Sequence, residues 1–82
     1  NDAELLSAYV HEGSQDAFAE LVRHHVGLVY SAALRHLREP SVAEEVTQKV
    51  FCVLAEKAGS IRDPRVLSAW LQDVAGNRGL YL

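Results

Sequence analysis

The stretch Ser41-Val42-Ala43-Glu44-Glu45-Val46-Thr47-Gln48-Lys49-Val50-Phe51, continuing to about Lys57, decides how this chain folds. Its apolar residues Ala43, Val46, Val50, Val53 and Leu54 recur at the spacing of one helix face, where a half-buried strand would alternate. Ser41 followed by Glu44 fits a capping box, in which the serine hydroxyl accepts from the N–H three residues on and the glutamate reaches back to the serine N–H. Just upstream, Glu39-Pro40 breaks the periodicity, because proline disfavours a helical conformation in the residue before it. The spacing therefore predicts a helix opening at Ser41 and running to about Lys57. At about 100° per residue, Glu44, Gln48, Phe51 and Ala55 align roughly opposite the apolar stripe and can meet a partner. Phe51 lies at the border of the two faces, where core packing is the first expectation.

Working outward, the other segments are helical too. A first helix is expected after an Asp2 cap, from Ala3 to about Val10, with Leu5, Leu6, Tyr9 and Val10 on one face. Gly13, able to take the left-handed conformation, stops it, and Ser14 caps the next. That helix runs from about Gln15 to Leu37, its inner face made of Phe18, Leu21, Val22, Val29, Ala32 and Ala33. Beyond Lys57, Gly59-Ser60 and Asp63-Pro64 leave a loop from Ala58 to Arg65 that carries two arginines. A fourth helix is expected from about Val66 to Ala75 with Leu67, Trp70, Leu71 and Val74 on one face, fraying at Gly76 and Gly79. The fold class is all-α, a small bundle of about four helices whose short connections favour antiparallel neighbours.

Composition narrows the function classes. The 82 residues, 49% of them hydrophobic, suffice for one compact domain. A chain this small buries only roughly 60% of its unfolded surface, so reliance on a partner is expected. A single cysteine, Cys52, offers no internal disulfide, zinc knuckle or redox pair, and a reducing cytoplasm suits it best. No run approaches the roughly 18 apolar residues of a membrane span, and the N-terminus lacks a signal-peptide pattern. The chain opens on Asn1 and closes on Tyr81-Leu82, which reads as a fragment of something longer. A formal net charge of −3 argues against a stand-alone duplex binder, whose affinity comes from Lys and Arg displacing counterions.

Residues that invite chemistry also have plainer readings. His24 and His25 point about 100° apart on their helix and do not easily share one ion, so with His11 and His36 they read as surface or interhelical residues. Cys52 has no histidine near it on its helix to activate a thiolate. Trp70 suggests a stacking platform for single strands, but its spacing with Leu67, Leu71 and Val74 assigns it to the core, as Tyr9 and Tyr30 are assigned. No residue set supports catalysis, and none calls for a cofactor or metal.

Ala43-Glu44-Glu45-Val46-Thr47-Gln48-Lys49-Val50-Phe51 resembles the acidic-acidic-x-x-Gln-x-x-Phe segment in region 2 of RNA polymerase sigma factors of the extracytoplasmic-function type. Upstream, Asp16 to Val22 through Leu28-Val29-Tyr30 looks like the family's earlier helix, and downstream Ser68-Ala69-Trp70-Leu71 resembles its Ala-Trp-Leu. The likeness runs from about Asp2 to Asn77, in the family's order and spacing. Two departures stand out: Lys49 occupies a position that is commonly acidic, and Gly76-Asn77-Arg78-Gly79 replaces what usually reads as a longer basic helix. The helix-turn-helix domain that accompanies region 2 in such factors has no counterpart in these residues.

The resemblance implies a transcription-initiation module without enzymatic activity. Its partners would be core RNA polymerase, through the clamp helices of the largest-subunit pair, and single-stranded promoter DNA of the −10 element; an anti-sigma factor is a further partner it allows. The implied docking residues are Glu44, Glu45, Gln48, Lys49 and Phe51, with Gln48 hydrogen bonding through an amide that both donates and accepts. The implied DNA-binding residues are Ser60, Ile61 and Asp63, lining a pocket for an unstacked base, and Arg62 and Arg65 on phosphates, with Asn77 and Arg78 beyond the fourth helix. Against this stand a plain solvated face on the third helix, a plain surface loop at Ala58–Arg65, and a helical protein–protein interaction module with no nucleic-acid role.

Overall fold

The computed structural model describes residues 1–76. Its helices are α1 (Asp2–Glu12), α2 (Gln15–Leu37), α3 (Pro40–Lys57) and α4 (Leu67–Ala75), with two short 3-10 turns, Ala58–Ser60 and Pro64–Val66, between α3 and α4. No strand occurs among the described residues. α2 is the spine. Its 23 residues, at about 1.5 Å each, account for the 36 Å long axis of the molecule, and α1, α3 and α4 all pack along it.

Local chemistry explains most boundaries. Asn1, rather than the expected Asp2, caps α1: its side chain accepts from the Glu4 N–H at 3.0 Å, and the Glu4 carboxylate reaches back to the amino terminus. Gly13 ends α1 in the left-handed region, at φ 67°. Ser14 caps α2, its hydroxyl accepting from the Ala17 N–H at 3.1 Å. α2 ends on Arg38, also left-handed at φ 60°, a conformation that costs a non-glycine residue roughly 1–2 kcal/mol. The short turn forces it, because only Arg38 and Glu39 separate α2 from α3.

The expected capping box at Ser41 does not form. Pro40, whose φ suits the first helical position and whose missing N–H is no loss there, begins α3 one residue earlier with an extended Glu39 before it. Ser41, displaced into the first turn, donates its hydroxyl to Glu39 Oε1 at 3.2 Å.

The core lies where α2, α3 and α4 meet. Leu21, Val29, Val50, Leu54, Leu67 and Leu71 are fully buried, and the small residues Ala32, Ala33 and Ala43 let α2 and α3 approach closely. The buried stripe of α3 is Ala43, Thr47, Val50, Phe51 and Leu54, turned slightly from the expected one, so that Val46 and Val53 are only half-buried. Thr47 can be inside because its hydroxyl donates to the Ala43 carbonyl at 2.7 Å. Trp70 and Val74 pack half-buried against the core, as their spacing predicts. α1 adds Leu6 to the same core; the Tyr9 hydroxyl also donates to the Ala55 carbonyl at 3.2 Å, and its ring lies 4.7 Å from that of Phe18.

Candidate docking face and nucleic-acid interface

Glu44, Glu45, Gln48 and Lys49 stand exposed on the outer side of α3. Phe51 does not join them. It is 7% exposed and lies on the buried stripe, eight positions from Ala43 and four from Thr47, so its ring belongs to the core and not to the docking set. Core packing is the first expectation from its border position on the helix; the docking place that the resemblance implied for Phe51 is filled from α2. Val26, Gly27 and Tyr30 line a shallow groove of about 350 Å³ with Glu44, Thr47 and Gln48, and its walls are mostly apolar. Val26 is 40% exposed, which leaves a hydrophobic strip beside the Gln48 amide and the Glu44 carboxylate. A surface of this kind can receive a helix of mixed character, apolar along its contact line and basic or amide-bearing beside it.

The α2 contribution was missed in the sequence, although Gly27 signals it. A glycine inside an exposed helix costs roughly 0.5–1 kcal/mol relative to alanine. A Cβ added at Gly27 meets nothing within 4 Å, so packing within the chain does not require it.

The segment between α3 and α4 is more ordered than a plain loop. The Ser60 hydroxyl donates to the Lys57 carbonyl at 2.7 Å, the Ile61 N–H donates to the Ala58 carbonyl, and the Ile61 side chain packs half-buried against the core. Asp63 Oδ1 accepts from the Arg65 N–H and from Arg65 Nε, both at 3.0 Å, while Oδ2 accepts from Arg65 Nη2 at 3.0 Å. The side-chain bonds from Arg65, then its backbone bond and charge, hold the Asp63 carboxyl below its ordinary value, and the same pairing pushes the Arg65 guanidinium up. Asp63 therefore closes the turn and orients Arg65, whose side chain stays 89% exposed. Arg62 is exposed and pairs with no carboxylate among the described residues. Of the two arginines it carries the less compensated charge.

Hollows shared with α1 flank this segment, two of them beside its arginines. One, of about 200 Å³, lies between the loop residues Gly59, Ile61 and Arg62 and the α1 residues Ser7, Val10 and His11. The other, of about 400 Å³, lies between Pro64, Arg65 and Ser68 and the first residues of α1. The structure thus brings Ile61, Arg62 and Arg65 to one side of the molecule, while the solvent-accessible Ser60 and Asp63 side chains are engaged locally, on the Lys57 carbonyl and on Arg65. Asn77 and Arg78 lie outside the described residues.

His24 and His25 meet at the α1–α2 interface, each within reach of Asp2: His24 Nδ1 lies 3.2 Å from Oδ1, and His25 Nε2 lies 2.6 Å from Oδ2. They are interhelical, and His25 is buried. Burial alone would raise the Asp2 carboxyl, but the hydrogen bonds and charge of the two histidines outweigh it and hold it below its ordinary value. No helix of the described residues is long and apolar enough to cross a membrane.

Comparison with known proteins adds to this geometry. The Sigma-70 region 2 family matches residues 21–80, which takes in most of α2, all of α3, the loop and α4. The chain is 37% identical over 81 residues to proteins described as ECF RNA polymerase sigma factor SigK from Mycobacterium sp. strains KMS and JLS, and to the same degree to RNA polymerase sigma factor SigK from strain MCS. Each match covers 96% of this chain and 42% of the relative, so the chain spans about two fifths of their length. No solved structure matches it. With three ordered motifs on an all-helical bundle and the family match over residues 21–80, the chain belongs to the sigma-70 region 2 family.

Proposed function

We propose that this chain is the region 2 module of an extracytoplasmic-function sigma factor, working in the cytoplasm, where it docks on core RNA polymerase and holds the melted −10 strand of a promoter. Docking is assigned to the α2–α3 groove, with Gln48 and Glu44 at its edge and Glu45 and Lys49 flanking it. The strand is assigned to the Ile61–Arg65 side, where Arg62 and the Asp63-oriented Arg65 meet phosphates. A net charge of −3 accords with a module whose DNA affinity appears only on the polymerase. An anti-sigma factor would compete for the same exposed faces.

The observation that carries this reading is the exposed apolar strip of Val26 beside Gln48 and Glu44, on the side of α3 to which the resemblance assigns docking. The test is binding of this chain to a clamp-helix fragment of the polymerase. Gln48→Ala is expected to weaken binding by about five- to tenfold, the worth of one interfacial hydrogen bond with its unpaired partner. Equal affinity for the variant, or none for the wild type, rejects the docking assignment.

A further inference from the structure

The hollow between α1 and the loop has the makings of a binding site that the loop alone does not supply. Val10 is 37% exposed on its floor, although its spacing with Leu6 predicts a core position. Ser7 and His11, one turn apart on α1 and on either side of Val10, border the same hollow, and neither side chain is hydrogen-bonded to another described residue. Across from them lie Ile61, apolar and half-buried, and Arg62, whose cation has no partner among the described residues. At about 200 Å³ the hollow is smaller than the roughly 300–1,000 Å³ that drug-sized ligands occupy, and it suits one flat ring system. An unstacked nucleotide needs an apolar surface for its face, donors and acceptors for its edge and a cation for its phosphate. All three are present here, contributed by two separate elements.

We propose that α1 forms the second wall of the single-strand site, so that one unstacked base of the promoter strand seats between α1 and the loop. Its face rests on Val10 and Ile61, its edge meets Ser7 and His11, and its phosphate lies on Arg62. Ser7 and His11 then contribute to which base is accepted, since a hydroxyl and an imidazole both discriminate by hydrogen bonding. Gly59 keeps the mouth open: a Cβ there would stand 4.0 Å from Val10 Cγ1, an ordinary contact, so a larger side chain would fill the hollow without disturbing the backbone. This inference rests on the reading that the Ile61–Arg65 side receives the melted strand.

The chain bound to core RNA polymerase would be irradiated with single-stranded oligonucleotides of randomised sequence carrying 4-thiothymidine, and the crosslinked peptides mapped. Crosslinks are expected on both walls, within residues 7–11 and within residues 58–65. His11→Ala and Gly59→Leu should each lower strand affinity roughly three- to tenfold, the loss of one hydrogen bond or one seated base, with no loss of clamp-fragment binding. Crosslinks on the loop alone, with both variants binding the strand as wild type does, overturn the α1 wall and leave the parent reading standing. Crosslinks on neither wall, with no strand affinity, overturn the parent reading itself. The crosslink map decides the question even for a variant that folds poorly.

Discussion

Asp2 does two jobs in the first turn of α1. Its charge suits a helix N-terminus, an effect of about 0.3–1 kcal/mol, and its two oxygens accept from His24 and from the buried His25. Because its carboxyl is held below the ordinary value, the clasp contributes fully above the ordinary carboxyl range and is lost as pH falls through the depressed folded-state value. Asp2→Asn should cost about 1–3 kcal/mol at neutral pH, the range for charged hydrogen bonds to a buried group. It should also flatten the acid limb of stability measured by urea titration from pH 7 to pH 3. An acid limb as steep as that of the wild type would show that Asp2 is not the group responsible. None of this was legible in the sequence. The divergence of adjacent histidines by about 100° argues against a shared partner on their own helix. A carboxylate arriving from α1 lies between the two rings, whose centroids are 6.4 Å apart, and reaches both. Phe51 was ambiguous for a related reason: α3 carries valines on both sides of its true stripe, and only the burial of Thr47 shows which way the helix is turned.

Helix limits were legible where a side chain or glycine acts on its own neighbours, as at Gly13, Ser14 and the Leu37 end of α2. They were misread where two local devices competed. At α3, Ser41-x-x-Glu44 and Pro40 each specify a start, and proline prevails because its ring fixes φ without needing a partner, whereas the box needs two side chains held in place. α2 carries the more informative anomaly. Gly27 sits mid-helix and exposed, with open space over its Cα. Gly27→Ala should therefore raise stability by about 0.5–1 kcal/mol in urea titration. If a clamp helix approaches the backbone closely in the Val26–Tyr30 groove, the same methyl should weaken binding to the clamp-helix fragment severalfold. Gain of stability with undiminished binding would mean that the partner passes over Gln48 and Glu44 and leaves Gly27 untouched.

In the assembled molecule these features share one small reserve of stability. A domain of 82 residues holds about 4–12 kcal/mol against unfolding, at roughly 0.05–0.15 kcal/mol per residue. Leu71, fully buried where α4 packs on α2 and α3, is a large fraction of it: Leu71→Ala should cost about 2–5 kcal/mol through lost transfer energy and the cavity left behind. The docking groove is on α2 and α3, away from Leu71, so the variant keeps its partner surface whenever it is folded. A ligand that binds only the folded state adds about 2.7 kcal/mol at a hundred times its Kd. The clamp-helix fragment should accordingly raise the urea midpoint of the wild type and restore most of what Leu71→Ala loses, and at the same fragment concentration a five- to tenfold weaker Gln48→Ala should forgo about 1 kcal/mol of that gain. Restoration undiminished by Gln48→Ala would place the fragment elsewhere on the bundle. No shift for the wild type would mean that the fragment does not select the folded α2–α3 face at all. Either result separates the docking claim from the fold, because the buried Leu21, Leu54, Leu67 and Leu71 of the core do not line the α2–α3 groove.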